Sequence, residues 1–110
     1  MIDWKRVADL RDEIGAEDFE EVVPLFLEEV SGVIDALRAG PDLSRLEEDL
    51  HFLKGSALNL GFEAFSTICS AGEKAAAAGM AASVDVTEVL ACFDASKTTF
   101  EAGLAQGAAA

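Results

Sequence analysis

Apolar residues recur along this chain at steps of three and four, and the runs break at a handful of glycines and one proline. That spacing draws a single apolar stripe down an amphipathic helix, and each stripe must be covered by another element. Five stretches carry it. Trp4, Val7, Leu10 and Ile14 follow Asp3, a candidate N-cap, and predict a short helix over about 4–14 ended by Gly15. Phe19, Val22, Val23, Phe26, Val30, Val33, Ile34 and Leu37 predict a longer helix over about 17–39. Pro24 lies inside it and removes one backbone hydrogen bond, which predicts a kink between Glu20 and Pro24. Leu25 and Leu27 fall off the centre of that stripe, so either flank burial or a docking surface accounts for them.

Gly40-Pro41-Asp42 reads as stop, turn and restart, with Asp42 or Ser44 placed to cap a third helix. Leu43, Leu46, Leu50, Leu53, Ala57 and Leu60 give that helix its stripe over about 43–60, and Gly61 suits a left-handed cap. Phe65, Ile68, Cys69, Gly72, Ala75 and Ala76 predict a fourth helix over about 63–78, whose small core face suits close packing on the third. Val86, Val89, Leu90, Phe93, Phe100 and Leu104 predict a fifth over about 85–105, with Lys97 in part of its stripe and residues 106–110 fraying. Connections this short favour antiparallel neighbours. The expected fold is all-α: one domain over residues 1–110, an antiparallel up-down four-helix bundle with a short additional N-terminal helix.

Composition narrows the function. Eight basic residues against 21 acidic ones give a formal charge of −13, which repels nucleic-acid phosphates and anionic membrane surfaces. Neither is an expected partner. No apolar run approaches the ~20 residues needed to span a bilayer and no signal peptide precedes Asp3, so a cytoplasmic, soluble protein is expected. A monomer is expected as well. Cys69 and Cys92 lack a second histidine to join them, which argues for a reduced, buried pair rather than a zinc site. No glycine-rich loop or magnesium-binding acid cluster is there to hold ATP, so a kinase is not expected.

The chemistry points to Leu50 through Gly61, which contains the one histidine of the chain. His51 lies about 100° round the helix from Leu50 and so flanks the stripe. Lys54 and Gly55, three and four residues on, share the histidine's face one turn away. Glycine inside a helix costs roughly 0.5–1 kcal/mol relative to alanine, and the simplest reason for Gly55 is room for a partner to reach the imidazole. Lys54 supplies a mobile positive charge suited to phosphate oxygens. Ser56 is expected to pack and to bond the helix backbone rather than to act as a nucleophile, because no second histidine serves it as base. Glu47, four residues before His51, is placed to favour a charged imidazole or is plain surface charge.

His51, Leu53, Lys54, Gly55, Ser56 and Gly61 resemble the signature of histidine-containing phosphotransfer (HPt) domains of two-component phosphorelays. The resemblance implies a bundle of about this length, with the first helix lying across one end and Trp4 serving as a core or lid aromatic. It also implies that His51 takes a phosphoryl group from a receiver-domain aspartate, or from a hybrid sensor kinase's receiver, and passes it to another receiver. Magnesium would then sit on the receiver, with no cofactor or metal on this chain. In the family the position twenty-two residues after the histidine often carries a polar side chain near the imidazole; here it is Glu73. An HPt-like helical adaptor that binds and regulates a kinase or receiver without carrying phosphate is the alternative, and an unrelated helical interaction module is a third possibility.

Overall fold

The computed structural model describes residues 1–108, so the fraying expected of Ala109 and Ala110 lies outside the described residues. Asp3 starts the first helix, α1 (Trp4–Ile14), by accepting the Arg6 N–H on its carboxylate at 3.1 Å. This satisfies one of the donors that a helix N-terminus leaves unpaired. Gly15, at φ +88°, turns the chain directly into α2 (Ala16–Ala39), which continues through Pro24. Val23, Leu27, Val30, Ile34 and Leu37 bury its inner face, whereas Leu25 is 64% exposed. The two off-centre leucines thus part company, Leu27 to the core and Leu25 to solvent.

The third helix starts later than its apolar pattern suggests. α3 spans Leu46–Leu60, and Leu43, counted in the stripe, is 46% exposed. Asp42 explains the delay, since its Oδ1 accepts both the Ser44 N–H at 3.0 Å and the Ser44 hydroxyl at 2.6 Å. The carboxylate closes a local turn instead of capping the helix, a competition that short polar side chains commonly win. Arg45 is therefore the N-cap residue and supplies no side-chain bond. Gly61 ends α3 in the left-handed conformation, φ +77°, with its N–H returning to the Ala57 carbonyl. α4 (Glu63–Ala77) follows after two residues, and α5 (Val86–Ala105) after a single 3₁₀ turn at Ala81–Ser83. Asp85 caps α5 by accepting from the Glu88 N–H at 3.0 Å. No strand occurs among the described residues.

Four helices close a ring: α2 touches α3, α3 touches α4, α4 touches α5, and α5 returns to α2. The α3–α4 pair is the most extensive of these contacts, and α1 lies against α2 and α3. Aromatic rings fill the end of the ring nearest the N-terminus. Phe62, in the two-residue link, is 1% exposed and sits 5.1 Å from Phe100 and 6.5 Å from Phe93. Trp4 stacks on Phe100 at 5.9 Å with its ring nearly parallel, as a core aromatic rather than a ligand platform. Gly103 makes that seat, because a Cβ there would lie 2.2 Å from the indole.

Gly61 anchors α1 in turn. Its carbonyl accepts the Asp3 N–H at 2.7 Å, and any Cβ would collide with the Asp3 carbonyl oxygen at 2.7 Å. The polar residue in the α5 seam is Ser96, fully buried, and Lys97 beside it is only half-buried. Of the cysteines, which are both free thiols, Cys69 is buried and Cys92 half-buried, so the pair is not wholly sequestered. Burial, and behind it the neighbouring Cys92 and Glu73, pushes the Cys69 thiol up to about 12.

Candidate functional site

Leu50 and Leu53 are both completely buried, and their seating fixes the rotation of α3. That rotation turns His51 outward, with 74% of its side chain exposed. Across the seam, Gly72 of α4 leaves space where a Cβ would stand 2.8 Å from Leu50 Cδ1. The missing side chain lets α4 close on α3 beside the histidine, and the next residue, Glu73, then reaches the imidazole. Three charged or polar groups meet there. His51 Nδ1 lies 2.8 Å from Glu73 Oε2, and Lys54 Nζ lies 2.5 Å from Oε1 and 3.3 Å from Oε2 of the same carboxylate.

Glu73 is the most sheltered of the three, its side chain 16% exposed against 28% for Lys54. The hydrogen bond from Lys54, and next the one with His51, holds its carboxyl below the ordinary glutamate range. An ionised carboxylate only accepts, so the short bond to the ring places a proton on Nδ1. In the neutral imidazole the lone pair then belongs to Nε2, on the side of the ring away from Glu73. The site therefore presents one oriented nitrogen nucleophile to solvent, braced from behind by an anion that a lysine holds in place.

Lys54 departs in part from the role its charge suggested. Its ammonium is engaged by Glu73 inside the protein rather than standing free beside the imidazole. Gly55 is open, and a Cβ there would meet no atom within 4 Å, so nothing among the described residues demands a glycine. Ser56 is 8% exposed among the core residues of α3, about 140° round the helix from His51, and shares no surface with it. Glu47 is exposed one turn before the histidine. The structure thus brings together His51, Lys54 and Glu73, leaves Gly55 beside them, and places Ser56 in the core. Gly72 was read in the sequence only as a small packing residue, and its part in delivering Glu73 depends on which leucine of α3 faces it.

A family model described as Hpt domain matches residues 21–99. No curated protein and no solved structure gave a match. The matched segment runs from the first turns of α2 to the last turns of α5 and contains His51, Lys54, Gly55 and Glu73. Covering well over half of an all-helical chain with an exposed, carboxylate-braced histidine, that match means the chain belongs to the Hpt domain family, the histidine-phosphotransfer domains of two-component signalling, which are phosphocarriers and not kinases.

Proposed function

We propose that this chain is a free-standing histidine phosphocarrier whose phosphoacceptor is His51 Nε2. The lone pair of Nε2 attacks the phosphorus of an aspartyl phosphate on a receiver domain, the new N–P bond forms as the acyl O–P bond breaks, and the receiver's aspartate leaves as a carboxylate. The ring keeps its Nδ1 proton throughout and so becomes cationic, facing the ionised Glu73. Transfer to a second receiver reverses the step. Magnesium resides on the receiver, and this chain supplies no metal ligand. Lys54 holds Glu73 and keeps an ammonium N–H available toward the phosphoryl oxygens, while Gly55 leaves the approach clear. The helix ring is an antiparallel up-down bundle, and the protein works as a cytoplasmic monomer between a hybrid kinase and a response regulator.

The observation that carries this proposal is the 2.8 Å Nδ1–Glu73 contact behind an imidazole that is 74% exposed. It orients the nucleophile without shielding it. The test is phosphotransfer profiling against receiver domains, with wild-type protein and His51→Gln. Acid-labile, base-stable phosphate is expected on the wild type and none on the variant. Label persisting on His51→Gln would refute the assignment, and receiver binding without any label would turn the protein into a regulatory adaptor.

A further inference from the structure

The surface around His51 is electrically lopsided. Glu47 and Glu48 are exposed on the N-terminal side, within one helical turn of the imidazole. On the C-terminal side come Lys54 and Gly55, then Leu58, almost in line with the histidine and ~10 Å along the axis. Leu58 is 58% exposed, among the most solvent-exposed large apolar side chains of the chain. It borders a groove of about 470 Å³ between α3 and α4, lined by Lys54 and Leu58 on one wall and by Thr67, Ser70, Ala71 and Lys74 on the other. Lys74 makes no ion pair among the described residues. Two of the eight basic residues of a chain with a formal charge of −13 thus border one groove that begins beside the phosphoacceptor.

We infer that the phosphodonor receiver seats asymmetrically, over this groove and the C-terminal half of α3, with Leu58 as its apolar anchor and Lys74 as its charge contact. The inference rests on the phosphocarrier function proposed above. The dianionic aspartyl phosphate together with the carboxylates beside it outweighs the charge of one magnesium ion, so the mouth of a receiver's site keeps a net negative charge. Facing that mouth, the Glu47–Glu48 side repels and the Lys74 side attracts, the Lys54 charge being met by Glu73, so the same charges that set the approach rate also set its direction. The small side chains of α4 leave depth, and Leu58 offers an apolar surface that burial against the partner would remove from water. Docking on the opposite side would bring the partner's carboxylates against Glu47 and Glu48 and leave Leu58 wet. A second copy of this chain is a poor occupant, because two copies at −13 repel each other.

The test compares two phosphodonors on the full chain: phosphoramidate, which needs no docking surface, and the phosphorylated receiver domain that exchanges phosphate fastest with the wild type. The quantity read is the ratio of receiver-dependent to phosphoramidate-dependent labelling of His51, with melting temperature recorded for every variant. Leu58→Ala is expected to lower the ratio about tenfold, as for an anchor residue of an interface. Lys74→Glu is expected to lower it several-fold at low salt, with the difference shrinking as salt rises. Glu47→Gln is expected to keep it within about twofold of wild type, since it removes charge on the side left uncovered. Ratios within about twofold of wild type for both Leu58→Ala and Lys74→Glu would overturn the asymmetric docking, as would a fall in Glu47→Gln as deep as that in Lys74→Glu. Failure of His51 to label from either donor would remove the phosphocarrier function and this docking mode together, whereas labelling from both leaves the ratio to judge the docking alone.

Discussion

Four glycines sit inside helices of this protein, and the surroundings of three of them, Gly32, Gly55 and Gly72, differ enough to separate a steric role toward a partner from a role in the fold. At Gly55 and at Gly32 a Cβ meets nothing within 4 Å, whereas at Gly72 it would stand 2.8 Å from Leu50 Cδ1 and 3.3 Å from Val84 Cγ1. Replacing glycine by alanine in open helix recovers about 1 kcal/mol of helix propensity. For a domain of this size that raises the melting temperature by about 4 °C. Gly55→Ala and Gly32→Ala are both expected to show that gain. Gly72→Ala forfeits it, because crowding Leu50 costs ~1–3 kcal/mol and leaves a net loss of about 1 kcal/mol. Function sorts the same residues differently. Gly32→Ala is expected to transfer phosphate at the wild-type rate, while Gly55→Gln, bulky beside His51, is expected to slow transfer about tenfold for a clash with the partner of ~1–2 kcal/mol. Calorimetry and receiver-dependent labelling of the four proteins decide it. A melting temperature for Gly55→Ala below wild type would show that the site is not open as described. Wild-type transfer by Gly55→Gln would show that nothing approaches the imidazole from that side.

Glu73 ties the site to pH: its carboxyl is depressed in the folded state, so its stabilising effect is fully present above the ordinary value of 4.5 and is lost as pH falls through the depressed value. The melting-temperature advantage of wild type over Glu73→Gln should therefore shrink as pH falls below 4.5, and an advantage that keeps growing on acidification below that value would contradict the sign. Lys54→Ala should slow transfer and shorten the phosphohistidine lifetime, measured as the decay of labelled His51, because it both frees Glu73 and removes the ammonium proposed to face the phosphoryl oxygens. Gly103→Ala should push Trp4 off Phe100, red-shift the fluorescence of this one tryptophan and cost ~1–3 kcal/mol by denaturant melting. Iodoacetamide at pH 8 should alkylate Cys92 ahead of Cys69, whose thiol is buried and pushed up to about 12, as read by peptide mass spectrometry.

Much of the helix layout is local and therefore legible in the residues themselves. The apolar spacing marked five helices, and Gly15, Gly40, Gly61 and Gly79 mark the ends of the first four. His51 stood out as a polar residue on the flank of a leucine stripe, and its exposure follows from the burial of Leu50 and Leu53. What was not legible depends on how one helix is set against another. Nothing in the spacing of Lys54 distinguishes an ammonium waiting for phosphate from one already bonded to Glu73, because that choice is made by the register of α4 on α3. Gly103 carries no signal in the local sequence pattern, yet it is where Trp4 lies, ninety-nine positions away in the chain. The late start of α3 was decided by Asp42 turning to Ser44, a short-range competition in which two outcomes were equally compatible with the sequence.

The close pairing of α3 and α4 through a two-residue link has a consequence for the order in which this molecule assembles. His51 and Glu73 are separated by 22 residues, and the most extensive helix–helix contact of the fold lies between the segments that carry them. Closing so short a loop costs little chain entropy, so this helical hairpin is the unit best placed to form early, before distant segments arrive. α1 belongs to the opposite regime, since the Asp3–Gly61 bond that clasps it spans more than half the chain. Terminal segments held by few contacts are the ones that open most readily in a folded protein. His51 and Glu73 are thus both carried on that hairpin, and the contact between them is expected to survive a transient release of the N-terminal helix.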